Sequence, residues 1–136
     1  MSITLSQAQR IIAAADAKAT ELGVPSSITV LDRGARMVAS VRQDGAPLVS
    51  IDSSFAKART SVYFGGAATG DLAAAIQPGA PLYTLGAASN EPLAFLAGGL
   101  PITDESGAVI GAIGSGGGTP DEDAVNAQAG IDAARG

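Results

Sequence analysis

The 136-residue chain is 46% apolar, carries a net charge of −5 and contains neither His nor Cys. Its length suits one domain, 1–136, with a core of its own, and the missing residues exclude disulfides, Cys/His zinc sites, thiol nucleophiles and Ser-His-Asp catalysis. An acidic balance, no Lys/Arg cluster, and only three Phe, two Tyr and no Trp argue against a nucleic-acid partner.

Thr4 and Gln7 pair as a capping box ahead of Ala8, Ile11, Ile12, Ala15, Ala19 and Leu22, the spacing of one helical face, which Gly23 and Pro25 end. Residues 27–31 read as a β-branched strand and 37–42 as its hairpin partner, with Asp32-Arg33-Gly34 as the turn. Ser50 is placed to cap a second helix with Ile51, Phe55, Ala58 and Val62 on its buried face. Lys57 and Arg59 lie close to that face. Thr69 is placed to cap a short helix over 71–76. Residues 77–91 are irregular, broken by Pro78, Gly79, Pro81 and Gly86, and such a stretch inside a compact domain is often functional. Residues 93–102 and 108–114 read as a hairpin around the turn Asp104-Glu105-Ser106-Gly107, its second strand apolar on both faces and therefore central. After the glycine-rich run 114–118, Thr119, Pro120 and Glu122 open the last helix. Strands joined by hairpins imply an antiparallel sheet with helices on its faces. This is an α+β layer fold, its first and last helices sharing one face.

No apolar run is long enough to span a bilayer, and no basic region followed by an apolar block marks a secretory signal. The expectation is a cytoplasmic protein without a membrane partner. The glycine run before the last helix fits neither dinucleotide nor phosphate-loop spacing and reads as a structural turn. Asp121, Glu122 and Asp123 read as helix-capping acids rather than a metal site. Asp32, Asp44, Asp104 and Glu105 read as turn residues.

Arg42 and Lys57 are the candidate catalytic and ligand-binding cations, because a cation near an apolar face must reach water, a carboxylate or a ligand. The competing reading pairs them with Asp32 or Asp52. Tyr83 and Glu91 of the irregular segment and Gly99 and Pro101 of the turn before the hairpin complete the expected site. Two cations beside exposed backbone amides would suit a carboxylate.

The motifs 30–34 (VLDRG), 42–46 (RQDGA), 56–58 (AKA), 77–79 (QPG), 98–102 (GGLPI), 109–114 (VIGAIG) and 117–119 (GGT), with Asp123 beyond, cover nearly the whole chain. In that order and spacing the chain resembles the GlcG/HbpS family of small haem-binding and haem-degrading proteins, also found as the C-terminal domain of PduO-type proteins. Departures are Ala35, where a Gly is common, Ser115-Gly116 within the glycine run, and Asn90-Glu91-Pro92, where a Gly-Gly-Arg-like turn is common. The resemblance implies a profilin-like α/β fold with an antiparallel sheet of about five strands flanked by helices. It also implies homo-oligomers and haem binding, haem degradation or redox sensing. Two functions stay open. One is haem binding, the iron held by Tyr, Lys, Thr or Met37. The other is a cofactor-independent enzyme or binding protein for a small carboxylate metabolite, built on Arg42 and Lys57. A purely structural subunit is a third reading.

Overall fold

The structure, a computed structural model, describes residues 1–135. Helix α1 (Leu5–Leu22) opens on the expected capping box, Thr4 and Gln7 each satisfying the other's backbone amide, and closes on a left-handed Gly23. A hairpin follows, β1 (Ser27–Asp32) and β2 (Met37–Arg42), then helix α2 (Val49–Tyr63). A long irregular passage leads to a second hairpin, β3 (Gly99–Thr103) and β4 (Val109–Gly116), and to helix α3 (Pro120–Arg135). The strands pair antiparallel throughout in the order β2-β1-β4-β3.

Helices α1 and α3 share one face of the sheet, where Ile11, Ile12, Ala127 and Ile131 pack on Ile28, Val30 and Ile113. Helix α2 covers the other face over Leu31 and Ala112. No described helix is long and apolar enough to cross a membrane.

The α2 interface departs from the expected apolar face. Ile51 is exposed, Phe55 and Val62 are half-buried, and the residues turned inward include Ser50, Ser54, Lys57, Ala58 and Ser61. Opposite them stand Ser27 and Thr29, so the contact is a layer of hydroxyls. Ser27 meets Ser50 at 2.8 Å, and Thr29 meets Ser54 at 2.8 Å and Ser40 at 3.0 Å. The helix rides so close that a Cβ at Gly114 would collide with the Ser54 carbonyl. Ser50 therefore does not cap the helix. Leu48 occupies that position without a side-chain bond, and the Ser50 hydroxyl, inside the first turn, donates to the Pro47 carbonyl at 2.6 Å.

Two further expectations need correction. The helix over 71–76 is a pair of short 3-10 turns, Thr69–Leu72 and Ala74–Ile76. Thr69 does not cap them: it is buried, donates its hydroxyl to the Leu96 carbonyl and accepts the Gly99 amide at 2.9 Å. The sheet has four strands rather than about five, and β3 begins at Gly99 rather than Leu93. Residues 94–96 give polar groups to side chains instead of a ladder: the Ala94 amide donates to the Thr60 hydroxyl at 2.9 Å and the Leu96 carbonyl accepts from Thr69. Gly98 turns the chain with φ of 128°, and its carbonyl accepts the Ser115 amide at 2.9 Å.

Candidate functional site

Lys57 lies in the core with only 2% of its side chain exposed. Its ammonium donates to Asp123 Oδ2 at 2.6 Å and to the Ser115 carbonyl at 3.0 Å. Asp123 is equally buried, and its other oxygen accepts the Gly118 amide at 3.0 Å. The pair thus ties α2 to the end of β4 and the start of α3. Neither expected acid partner is involved. Asp32 Oδ1 accepts the Gly34 and Arg36 amides of its own turn, and Asp52 is exposed. Asp123 is more than a capping acid. That task falls to Glu122, which exchanges bonds with Thr119, so the Gly118, Thr119 and Glu122 amides are already taken.

The other expected site residues are dispersed. Arg42 lies at the exposed end of β2 and lines an open depression of about 550 Å³ near the end of α1, beside Asp44. Tyr83 is 56% exposed on the irregular passage. Gly99 is buried under α2, where a Cβ would meet the Lys57 carbonyl, and Pro101 sits in edge strand β3, where a missing amide is tolerated. The structure does not bring these residues together with Arg42. Asp104 acts within its own turn: the Ser106 hydroxyl, with the Ala108 and Ser106 amides, holds its carboxyl below the ordinary value.

Glu91 is the exception, because it borders a groove that three elements build. Phe55, Arg59 and Tyr63 recur every fourth residue and form one stripe on α2 that runs from the margin of the core to the surface. The Arg59 guanidinium stacks on the Phe55 ring at 4.5 Å and donates through Nη1 to the Pro92 carbonyl at 2.7 Å. Its Nη2 stands 3.9 Å from Glu91 Oε2. Across the groove the β1–β2 turn presents Arg36 and Met37, its shape set by Asp32 and by Ala35 in the left-handed region with φ of 61°. The groove holds about 280 Å³. A neighbouring depression of about 490 Å³ shares Tyr63 and Glu91 and is lined by Phe64, Leu85 and Leu93.

Arg59 and Phe55 are groove residues that sequence reasoning did not carry into the candidate site. Their signal was a cation and an aromatic four residues apart on one helix. Two guanidinium forks, an aromatic ring and an apolar annex are suited to carboxylates on an apolar body. Met37 and Tyr63, 56% and 50% exposed, add a thioether and a phenol, both donor types that haem iron accepts. The donor set therefore fits haem without imidazole or thiolate. Among the described residues no group of three or more acidic side chains is placed to hold a bare metal ion.

The family model described as haem degrading protein HbpS-like matches residues 3–132. The chain belongs to the HbpS-like family. It is 37% identical over 131 residues to a 15.0 kDa protein of the dhaT–dhaS intergenic region of Citrobacter freundii, covering 96% of this chain and 91% of that one. It is 32% identical over 123 residues to the corrinoid adenosyltransferase PduO of the same organism, covering 90% of this chain but only 36% of PduO. Among solved structures, the Klebsiella pneumoniae protein ORFY superposes with a TM-score of 0.92 at 36% identity, covering 98% of this chain and 90% of that one. The PduOC:haem complex superposes with a TM-score of 0.91 at 29% identity, covering 98% and 95%.

Proposed function

We propose that this HbpS-like chain binds a small ligand carrying carboxylates on a flat apolar body, with haem as the member of that class to which its family points. The observation that carries the reading is the juxtaposition of Arg36 and Arg59 beside Phe55, Met37 and Tyr63. The Arg36 fork and the Nη2 of Arg59 would take propionates, Phe55 would lie beside the apolar body, and Met37 or Tyr63 would supply the iron ligand. Haem, when bound, brings redox and oxygen chemistry. The chain's own contribution is to orient the carboxylates and shield one face.

A second reading draws on the size of the groove. At about 280 Å³ it suits a small dicarboxylate without the annex, which keeps a carboxylate metabolite as the alternative. Assembly belongs to the same proposal: light scattering is expected to give a dimer or larger species, and a monomer at micromolar concentration would remove it.

The test is a hemin titration followed at the Soret band, with succinate as the small competitor. Arg36→Ala is the clean variant, because Arg36 is exposed and its side chain makes no hydrogen bond among the described residues. It should weaken hemin binding by about 1.5–3 kcal/mol, the range for hydrogen bonds to charged groups, without moving the melting temperature. Arg59→Lys keeps the charge and loses the fork, so it should act in the same direction. An equal loss in Arg42→Ala, with Arg36→Ala unchanged, would move the site to the end of α1.

A further inference from the structure

Around the Arg59 guanidinium the cation is fixed and the anion is loose. Arg59 is held on both sides, by the Phe55 ring and the Pro92 carbonyl, and only 13% of its side chain is exposed. Glu91 is the reverse. Its backbone is fastened by Ser89, whose hydroxyl accepts the Glu91 amide at 3.2 Å and lies 2.8 Å from the Glu91 carbonyl. Its carboxylate is 56% exposed and reaches Arg59 Nη2 only at 3.9 Å, beyond hydrogen-bonding distance. Among the described residues Nη2 has no hydrogen-bond partner.

Glu91 also stands where the space divides. It borders the groove with Arg36, the apolar annex with Phe64 and Leu93, and a third depression of about 380 Å³ that runs toward Asp52. The charges facing Arg59 are therefore Glu91 from the irregular passage, Arg36 from the β1–β2 turn and Asp52 from α2 itself.

We infer that Glu91 is the resident counter-ion of the carboxylate subsite, displaced from Arg59 when a ligand carboxylate arrives. The inference rests on the groove reading above and adds to it a resident competitor for the Arg59 position. An uncharged body cannot displace Glu91, and a single carboxylate is accommodated on Arg36 alone. A dianion takes both guanidiniums, and only it must expel Glu91. The two guanidiniums suit paired carboxylates, and Glu91 moderates that preference by lowering the affinity of the ligands that use Arg59. Competition from one exposed acid is modest, on the order of threefold to fivefold, because exposed ion pairs are weak.

The experiment compares hemin, with two free propionates, and hemin dimethyl ester, with none, on the wild type, Glu91→Gln and Glu91→Ala. Both variants should bind hemin about threefold to fivefold more tightly than wild type and leave the ester unchanged. Melting temperatures should match the wild type, since the side chain is exposed. Weaker or equal hemin binding in Glu91→Gln, alongside a loss in Arg36→Ala, overturns the inference and leaves the groove reading standing. Tightening of hemin and ester alike also overturns it, because charge displacement would not be the cause. Hemin binding absent from the wild type and both variants overturns the groove reading and the inference together.

Discussion

Replacing Lys57 by Met is the sharpest test of how this fold holds together. The substitution roughly preserves volume, so the loss is electrostatic. Asp123 is left buried, with one oxygen on the Gly118 amide and the other without its cation, and the Ser115 carbonyl loses a donor. Breaking one side of a buried pair costs about 3–5 kcal/mol, because the surviving charge keeps its desolvation penalty and loses its compensation. For a chain of 136 residues, 1 kcal/mol shifts the midpoint by roughly 3–4 °C, so Lys57→Met should melt roughly 9–20 °C below wild type. Circular dichroism melts and urea titrations at neutral pH measure this directly. Asp123→Leu should cost a similar amount. The double variant should be less destabilised than the sum of the two by about 2 kcal/mol or more, since no uncompensated charge remains. A Lys57→Met protein within about 1 kcal/mol of wild type would refute the reasoning. Unchanged stability with hemin affinity lost would instead return Lys57 to a ligand site.

Ala35→Gly should stabilise the protein by about 0.5–1 kcal/mol, since an alanine at φ of 61° carries strain that glycine lacks, partly offset by unfolded-state entropy; a melting temperature below wild type would contradict this. Gly114→Ala should destabilise by about 3 kcal/mol or more, because its Cβ meets the α2 backbone rather than a side chain that could move, and urea midpoints read the loss. Asp104 is a depressed carboxyl, so its contribution is present above the ordinary value of 3.8 and lost as pH falls through its folded value. The melting-temperature gap between wild type and Asp104→Ala should therefore close between pH 5 and about pH 2, and a constant gap would show that the turn does not depend on the charge.

Much of the fold was legible because local chemistry and global packing agree in α1, the first hairpin, β4 and the start of α3. The Thr4–Gln7 box, the Asp32 turn and the Thr119–Glu122 box each form as their residue types demand. What failed was β3, extended in the reading to Leu93. Residues 93–98 look extended and apolar, but Thr60 and Thr69, 34 and 27–30 residues away in sequence, claim backbone groups that a ladder would need. Such side-chain capture depends on tertiary placement, and no window of local sequence contains it. Lys57 failed for the same reason: Asp123 is 66 residues distant, and only the packing of α2 against the β4–α3 junction makes them neighbours.

The candidate groove was hidden by an assumption about which face of a helix goes inward. Periodicity arguments take the apolar stripe as the buried one, which assigns Phe55 to the core and leaves Arg59 merely close to that face. In α2 only Ala58 of that stripe is fully buried and the innermost positions are largely hydroxyls, and sterics explain it. Ser50, Ser54 and Ala58 are small, and they face glycine, serine and threonine on β4 and β1, so the helix approaches more closely than larger side chains would permit. Hydroxyls that pair with hydroxyls across that contact remove the penalty of burying them. The larger apolar residues are then pushed to the margin of the contact, with Ile51 exposed and Phe55 and Val62 half-buried against the edge of the Leu31–Ala58–Ala112 cluster. Phe55 comes to lie beneath Arg59, within reach of Arg36 from the neighbouring turn. The same small-residue stripe that seals the core therefore creates the aromatic-and-cation groove outside it. Enlarging Ser54 should disturb both, whereas Arg36→Ala should disturb only the groove.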